Sequence, residues 1–410
     1  MDQLDCRSEA PGEMYQTICQ RYDKATAGEQ IEVLVNDLPA GLRIGLIEGG
    51  IRFTAERAAD GGWRMIMHRA ASPAMAEMPC MHHVVATPSG TIWASERASR
   101  VARIDKHTAA VTGIADVAVM ASHIAVDPQE SWVFVADAMG DAMIIVNAKT
   151  LEVAASIRAP GAPQLPMITD EGIACVTGPI TGTLTIIWPT ATGFRDKTIE
   201  IGPAPHDPVV SPDGRTAFVP CLGDGTVARV DLIEGRVETR FTVGDGPSHL
   251  VMNAAGERIY SANTFDGTLS CVSPDGDLIA QSWSGEWAHV PRITPNGKSI
   301  YVANFGEDTI AVFNAATMER TAILPSEPYP HGLDIAPDGS VVFATGYSSE
   351  HVRVYDATRA VEIARIKVGQ GSTHTAFDAD MTNAYVACSV ADHVARVNLS
   401  SHECTDFITL

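Results

Sequence analysis

Basic residues are scarce. The 410-residue chain has 29 Lys and Arg against 50 Asp and Glu, a net charge of −21. A phosphate backbone needs a basic face, so nucleic acid is excluded as the expected partner, and an anionic membrane surface is disfavoured for the same reason. Charge of either sign is thin, at 19% of residues, and it never gathers into a run. No stretch approaches the ~20 apolar residues of a membrane helix. The opening MDQLDCRSEAPGEM lacks the basic and apolar regions of a secretory leader. The eight cysteines, at 6, 19, 80, 175, 221, 271, 388 and 404, form no CxxC pair. That excludes a zinc knuckle and a thioredoxin-type motif. Reduced thiols in a cytoplasmic protein are the expectation. There is no GxSxG elbow, no Walker loop and no GxGxxG after a strand, so serine-hydrolase, nucleotide-binding and Rossmann functions are set aside.

What the chain does have is a repeat. The turn tetrapeptides SPDG (211–214), TPNG (294–297) and APDG (336–339) are its clearest markers. Weaker copies stand at 87–90, 127–130, 169–172, 253–256 and 378–381. The eight copies are spaced by about 40 to 43 residues. Pro followed by Asp or Asn and Gly is tight-turn chemistry. An apolar strand follows each turn, then a polar loop, then an alternating strand such as VARVD, IAVFN or VRVYD, then a fourth strand. Four short strands per ~40 residues describe a propeller blade. No 3.6-residue periodicity runs through these units, so a helical solenoid is excluded. Residues 82–410 therefore read as a β-propeller of eight blades, with seven as the alternative if one weak copy is irregular. Hydrophobic content of 45% supplies the core.

A histidine returns with the repeat, seven or eight residues before the last position of each turn. The residues are His82 or His83, His123, His206, His249, His289, His331 and His374, and the third unit has Gln164-Leu165 instead. With 13 histidines in the chain, chance would put about a quarter of one at eight fixed positions. The position opens the innermost strand of each blade, and those strand starts face one end of the axial channel. The imidazoles are expected to ring one funnel mouth. Neutral imidazole is the commonest protein ligand of transition metals. His82, His83, His123, His206, His249, His289, His331 and His374 are thus candidate metal ligands. His123, His206, His249 and His374 are also candidate cofactor contacts, joined by Arg292, which could hold a carboxylate or propionate or form a rim ion pair. His289 and His331 are the preferred ligands or proton donors in catalysis. Two readings of the ring stay open: a metal or cofactor site, or histidines that bond the backbone of neighbouring blades. Burying seven unpartnered imidazoles around one axis is costly.

The second-strand ends, Glu96, Asp137, Gly178, Cys221, Asn263, Asn304, Gly346 and Cys388, are expected to form a wider ring on the same face. Trp188, Trp283 and Trp287 wall the funnel or pack between blades. His68, His107, His351, His393 and His402 lie outside the register and read as surface or packing residues.

The strand-two motifs YVAN (301–304), YVAC (385–388), FVAD (134–137) and YSAN (260–263) resemble YVTN-type propeller repeats. The haem-d1 propellers of the nitrite reductase group are similar, eight-bladed and carry axial histidines. That likeness implies a transition metal or haem-like tetrapyrrole in the ring, and redox chemistry or cofactor transfer. His82-His83 resembles the paired histidines of multi-copper propellers of the nitrous-oxide-reductase type. Cytoplasmic lactonase-type propellers are also similar and seven-bladed; that likeness implies hydrolysis, with a funnel histidine and an acid such as Glu96 or Asp137 activating water. Ahead of the hydrolase, the alternative to the cofactor reading is a non-catalytic protein-interaction scaffold linked to sulfur handling.

Residues 1–70 do not fit the repeat. They read as strand (Gln3–Asp5), helix (Gly12–Lys24), strand (Gln30–Val35), helix (Ala40–Glu48), strand (Ile51–Arg57) and strand (Trp63–His68), a two-layer α/β sandwich. A linker at 71–81 follows. LDCR (4–7), AGEQIEVLVND (27–37) and FTAERAADGGWRMIMHR (53–69) resemble the TusA/SirA-like sulfur-carrier family. The family's CPxP cysteine is replaced here by SEAPGEM, and neither Cys6 nor Cys19 stands at its place. The resemblance implies sulfur carriage, which the missing cysteine argues against; a docking or folding role is the reading preferred, with a protein partner bound through this module or through the propeller rim.

Overall fold

The computed structural model describes residues 2–9, 11–26, 29–36, 53–59, 61–68, 83–96, 99–117 and 120–410. They fall into two compact units, within 1–78 and within 79–410. In the first unit, β1 (Asp2–Asp5) pairs in parallel with β2 (Gln30–Val35). Parallel pairing needs a crossover, and α1 (Pro11–Lys24) provides it. Pro11 opens the helix, where a missing N–H costs nothing. Two further strands, β3 (Phe53–Arg57) and β4 (Trp63–His68), complete a sheet of order β1-β2-β4-β3. Met14, Ile18 and Tyr22 of the helix pack on Ile31, Val33, Val35, Met65 and Met67. The alternating burial of β2 follows, with one face on the helix. Cys6 joins this core fully buried, and burial pushes its thiol up to about 11. That is the opposite of what a sulfur-carrying nucleophile requires. The expected helix at Ala40–Glu48 and the linker at 71–81 lie outside the described residues.

The second unit is a β-propeller of eight four-stranded antiparallel sheets, at 84–116, 121–158, 167–200, 209–242, 247–283, 288–325, 333–367 and 372–409. Eight blades are therefore built, and the seven-bladed alternative falls away. The turns explain the SPDG signal. The amides of Gly214, Gly297 and Gly339 donate to the carbonyls of Ser211, Thr294 and Ala336, at 2.8 Å each. All three glycines have φ near +70°, which a side chain resists.

Burial sorts the strands of a blade. In the sixth, Ala288–Ile293, Ser299–Asn304 and Thr309–Asn314 are buried almost throughout, whereas Arg320–Pro325 is largely exposed. The first strand of each blade is thus innermost and the fourth is the rim. Eight hydrophobic cores, one between each neighbouring pair of blades, close the circle. The tyrosine of the YVAN motif reinforces the joints. Tyr260, Tyr301 and Tyr385 donate to carbonyls of the following blade, at Ala315 (2.9 Å), Ala357 (3.0 Å) and Lys106 (3.2 Å). The last strand, Glu403–Thr409, pairs within its own blade. Among the described residues, no strand is exchanged between the ends of the propeller. Blade eight meets blade one through side chains: the core of Val84, Ile92 and Ile104 with Tyr385, Val394 and Ile408, and the Lys106–Asp380 ion pair at 3.0 Å.

Candidate functional site

The histidines arrive at the axis by way of strand irregularities. In blade six, Ala288 pairs with Asn304 and Val290 with Ala303, so His289 is the extra residue of a bulge. Similar register shifts flank His123, His249 and His374. Hydroxyls of the preceding blade fix the backbone there. Ser95 Oγ donates to Ser122 O (2.8 Å), Thr264 Oγ1 to Ala288 O (2.9 Å), Ser248 Oγ to His289 O (3.1 Å), and Thr345 Oγ1 to Thr373 O. Gly332 is required by this crowding. A Cβ on it would lie 1.8 Å from Thr373 O and 2.4 Å from Thr345 Oγ1.

Seven imidazoles gather at the axis: His83, His123, His206, His249, His289, His331 and His374. His82 lies outside the described residues. Consecutive rings follow one another from His206 through His249, His289, His331, His374 and His83 to His123, edge to face or tilted, with centroids 4.5–6.1 Å apart. The gap falls at blade three, where Gln164 and Leu165 stand. The arrangement is not an open circle. His83, His123 and His374 all touch one another (5.1, 4.7 and 5.4 Å), and so do His206, His249 and His289 (4.6, 4.5 and 6.1 Å). The ring has collapsed into two trios with His331 between them.

The second trio holds a carboxylate. Asp207 Oδ2 lies 3.2 Å from His249 Nε2, and Oδ1 lies 3.8 Å from His206 Nδ1. Among the described residues, donor atoms of His206, Asp207 and His249 lie within 4.8 Å of one another, a metal-ligand grouping. His289 is fully buried, and neither of its ring nitrogens has a partner. Nδ1 of His123, Nδ1 of His249 and Nε2 of His374 also lack one. Burial, followed by neighbouring imidazoles, holds His123 down to about 3 and His249, His289 and His374 well below the usual value. His83 is lowered to about 4, again mainly by burial. These five are neutral at pH 7, with a lone pair to offer.

Arg292 sits among these rings. It donates to Pro291 O (3.1 Å) and lies 3.7 Å from Asp334, so the ion-pair alternative is the one built. Its charge acts on His83, His249 and His374. Asp334 accepts the amide of Thr375 at 2.9 Å, and burial raises its carboxyl. Phe305, Tyr329 and Tyr347 form the wall beside His289 and His331. Sequence reasoning missed Asp207, Asp334 and these aromatics. The legible signal was a charged residue one or three positions after a funnel histidine, the criterion that picked out Arg292.

The expected wider ring of second-strand ends does not form. Asp137 accepts the amides of Met120 (2.9 Å) and Gly140 (3.0 Å). Asn263 donates to Thr268 and Ser270, and Asn304 to Ser284 and Thr309. Cys221 and Cys388 turn their thiols to the carbonyls of Ile201 and Val368. These residues tie off their own blades. Nothing is described for the Glu96 side chain. Trp188 donates to Leu232 O (2.8 Å) inside the core between blades three and four, and Trp283 is exposed. His393, outside the register, is spent on backbone contacts to Val368 and Ala391.

The family model described as "Lactonase, 7-bladed beta-propeller" matches residues 190–360, less than half of the chain. That stretch contains His206, Asp207, His249, His289, Arg292, His331 and Asp334. A 6-phosphogluconolactonase of Serratia proteamaculans is 27% identical over 195 residues, covering 41% of this chain and 59% of the relative. One of Yersinia pestis is 26% identical over 196 residues with the same coverages. The chain thus spans under two thirds of the length of the curated relatives it matches. Among solved structures, Kuenenia stuttgartiensis hydrazine synthase superposes with a TM-score of 0.56 at 18% identity, over 78% of this chain and 96% of that one. The dihydro-heme d1 dehydrogenase NirN in complex with DHE gives 0.59 at 16% identity, over 70% and 66%. At such identities the structural likeness establishes the fold: the chain is a β-propeller, similar to lactonases across its middle blades.

Proposed function

We propose that the axial funnel is a transition-metal site, held by His206, Asp207 and His249 with His289 as a further ligand. The observation that carries this is His289, fully buried beside the His249–Asp207 pair with both ring nitrogens unpartnered. One nitrogen of a neutral imidazole is a donor and the other an acceptor. Leaving either buried and unpaired costs about 1–3 kcal/mol. Two histidines and a carboxylate with neighbouring open positions suit a borderline divalent ion. The depressed histidine values support it, since protons do not compete for the lone pairs at neutral pH. The grouping of donor atoms from His206, Asp207 and His249 within 4.8 Å of one another favours an ion over a tetrapyrrole. A bound ion supplies Lewis acidity. Asp207 Oδ2 stands 3.2 Å from His249 Nε2, so both could reach one ion, and Arg292 presents a positive charge to the same space.

The test is elemental analysis and a visible spectrum on protein purified without oxygen or chelator. A stoichiometric metal that disappears in His206→Ala/His249→Ala supports the reading. A Soret-type band would transfer the ring to a tetrapyrrole and redox chemistry. Metal-free, colourless protein would return the histidines to a structural role.

A second reading, lactone hydrolysis, is favoured by the names of the curated relatives and by the position of their match. In it, Asp207 or His249 takes the proton from an attacking water. Asp137 Oδ1 is engaged by two backbone amides, whereas Asp207 stands among the funnel histidines. Turnover of a sugar lactone that is lost in Asp207→Asn would establish it, and insensitivity to chelator would separate it from the metal reading.

A further inference from the structure

Arg292 is lightly held for an arginine beside buried rings. It donates to its own neighbour, Pro291 O (3.1 Å), and its 3.7 Å separation from Asp334 is long for a hydrogen bond. Asp334 is poorly placed to take more of it, because one oxygen accepts the Thr375 amide (2.9 Å) and burial raises the carboxyl. Most of the N–H fork therefore has no acceptor among the described residues, and the side chain is 34% exposed. Other arginines of the propeller are saturated. Arg365 grips both oxygens of Glu327 (2.7 and 3.0 Å), and Arg396 donates to Asp406, Thr405 and the carbonyls of Lys106 and His107.

The charge of Arg292 reaches both trios. Burial first, and this charge after it, lowers His83, His249 and His374. In the trio of blades one, two and eight, no carboxylate among the described residues is paired with a ring. His83 supplies a donor there. Its Nδ1 accepts the amide of Ile124 (3.4 Å). A neutral imidazole carries one proton, so that proton stands on Nε2. Nothing among the described residues accepts it. Nδ1 of His123 and Nε2 of His374 also lack partners. This side of the funnel thus holds N–H donors and a cation without an acid, opposite in character to the side that holds Asp207.

We infer that Arg292 and His83 form an oxyanion site in the funnel, so that its ligand is a small organic anion bearing a carboxylate or phosphate group. The inference rests on the reading of the funnel as a ligand site and names the class of that ligand. A planar guanidinium meets either group with paired N–H donors, and His83 Nε2–H adds a neutral one from the first blade. The chain as a whole, at −21, repels anions. A local surplus of donors and positive charge therefore marks a specific site and not a general affinity. His83 lies outside the stretch that resembles the lactonases, which begins at residue 190.

The test is nitrogen NMR of histidine side chains at pH 7 on the full chain, stripped of metal, titrated with inorganic phosphate and separately with acetate at fixed ionic strength. His83→Gln identifies the His83 signals by their loss. Those signals are expected to shift saturably with at least one of the two anions. Acetate alone marks a carboxylate ligand and phosphate alone a phosphoester, and either result upholds the site. The response should persist in His206→Ala/His249→Ala, and Kd should rise by about tenfold or more in Arg292→Gln. Circular dichroism shows whether that variant folds, and Arg292→Lys, which keeps the charge and loses the fork, serves if it does not. No saturable shift with either anion, or an unchanged Kd in the folded arginine variant, would overturn the inference. Stripping the metal keeps the two proposals apart: a stoichiometric metal with no anion response sinks this one alone, and an anion response in a protein that holds no metal sinks the other alone.

Discussion

The two histidine trios come from the same step of the repeat and end in different surroundings. Asp207 lies beside His206 and His249 in one trio, whereas no acid among the described residues is paired with His83, His123 or His374. Part of the difference is visible in spacing. His206, His289 and His331 stand eight residues before the last residue of their turn, and His83, His123, His249 and His374 stand seven before. In a regular strand that single residue would send the side chain to the opposite face. Here bulges absorb it, and both groups reach the axis. What changes is depth. The three at the longer spacing are all buried, at 0 to 5% exposure, while of the other four only His123 is buried. The comparison teaches that a repeat position can be held at the axis while its register drifts, provided the strand start is irregular.

The strongest way to break the comparison is Gly332→Ala. Gly332 lies between His331 and the Thr373–His374 strand, where a Cβ has no room. The substitution should cost about 3 kcal/mol or more, measured by denaturant unfolding, and should disturb both trios together. Acid is the next lever. Unfolded histidine takes up a proton near 6.5, but folded His83 only near 4 and His123 only near 3. The unfolded chain therefore binds more protons in between, and stability present above pH 6.5 is lost as pH falls. Each such histidine contributes a slope of up to about 1.4 kcal/mol per pH unit. His123→Gln should flatten the profile between pH 6.5 and 4, and an unchanged slope would refute the assignment.

Asp207→Asn separates the trios. It should weaken metal binding at His206 and His249 by about tenfold or more in a competition titration. The smallest expected effect is Tyr301→Phe. Loss of its bond to Ala357 O should cost about 1 kcal/mol, with metal content unchanged, because the hydroxyl is spent on the backbone of the next blade.

The legible part of this protein rests on local chemistry. Pro-Asp-Gly turns, alternating strands and the returning histidine are short-range patterns, and they gave the eight blades and the identity of the funnel histidines. The wider ring of Asp137, Asn263, Asn304 and Cys388 was misread for a physical reason. A repeated polar residue at a strand end serves its own turn as readily as a common site, and the spacing is the same in both cases. Asp207 and Asp334 went unnoticed because each occurs in one blade alone, where no period marks it.

By itself the sequence determined the repeat, the turn chemistry and the type of residue that opens each inner strand, since these depend on backbone preference and on side-chain period. Only the tertiary structure decided that the ring collapses into two trios, that Asp207 joins one of them, and that His289 is buried with no partner. Those facts depend on bulges and on contacts across blades some 40 to 290 residues apart, and no local pattern in the chain carries that information.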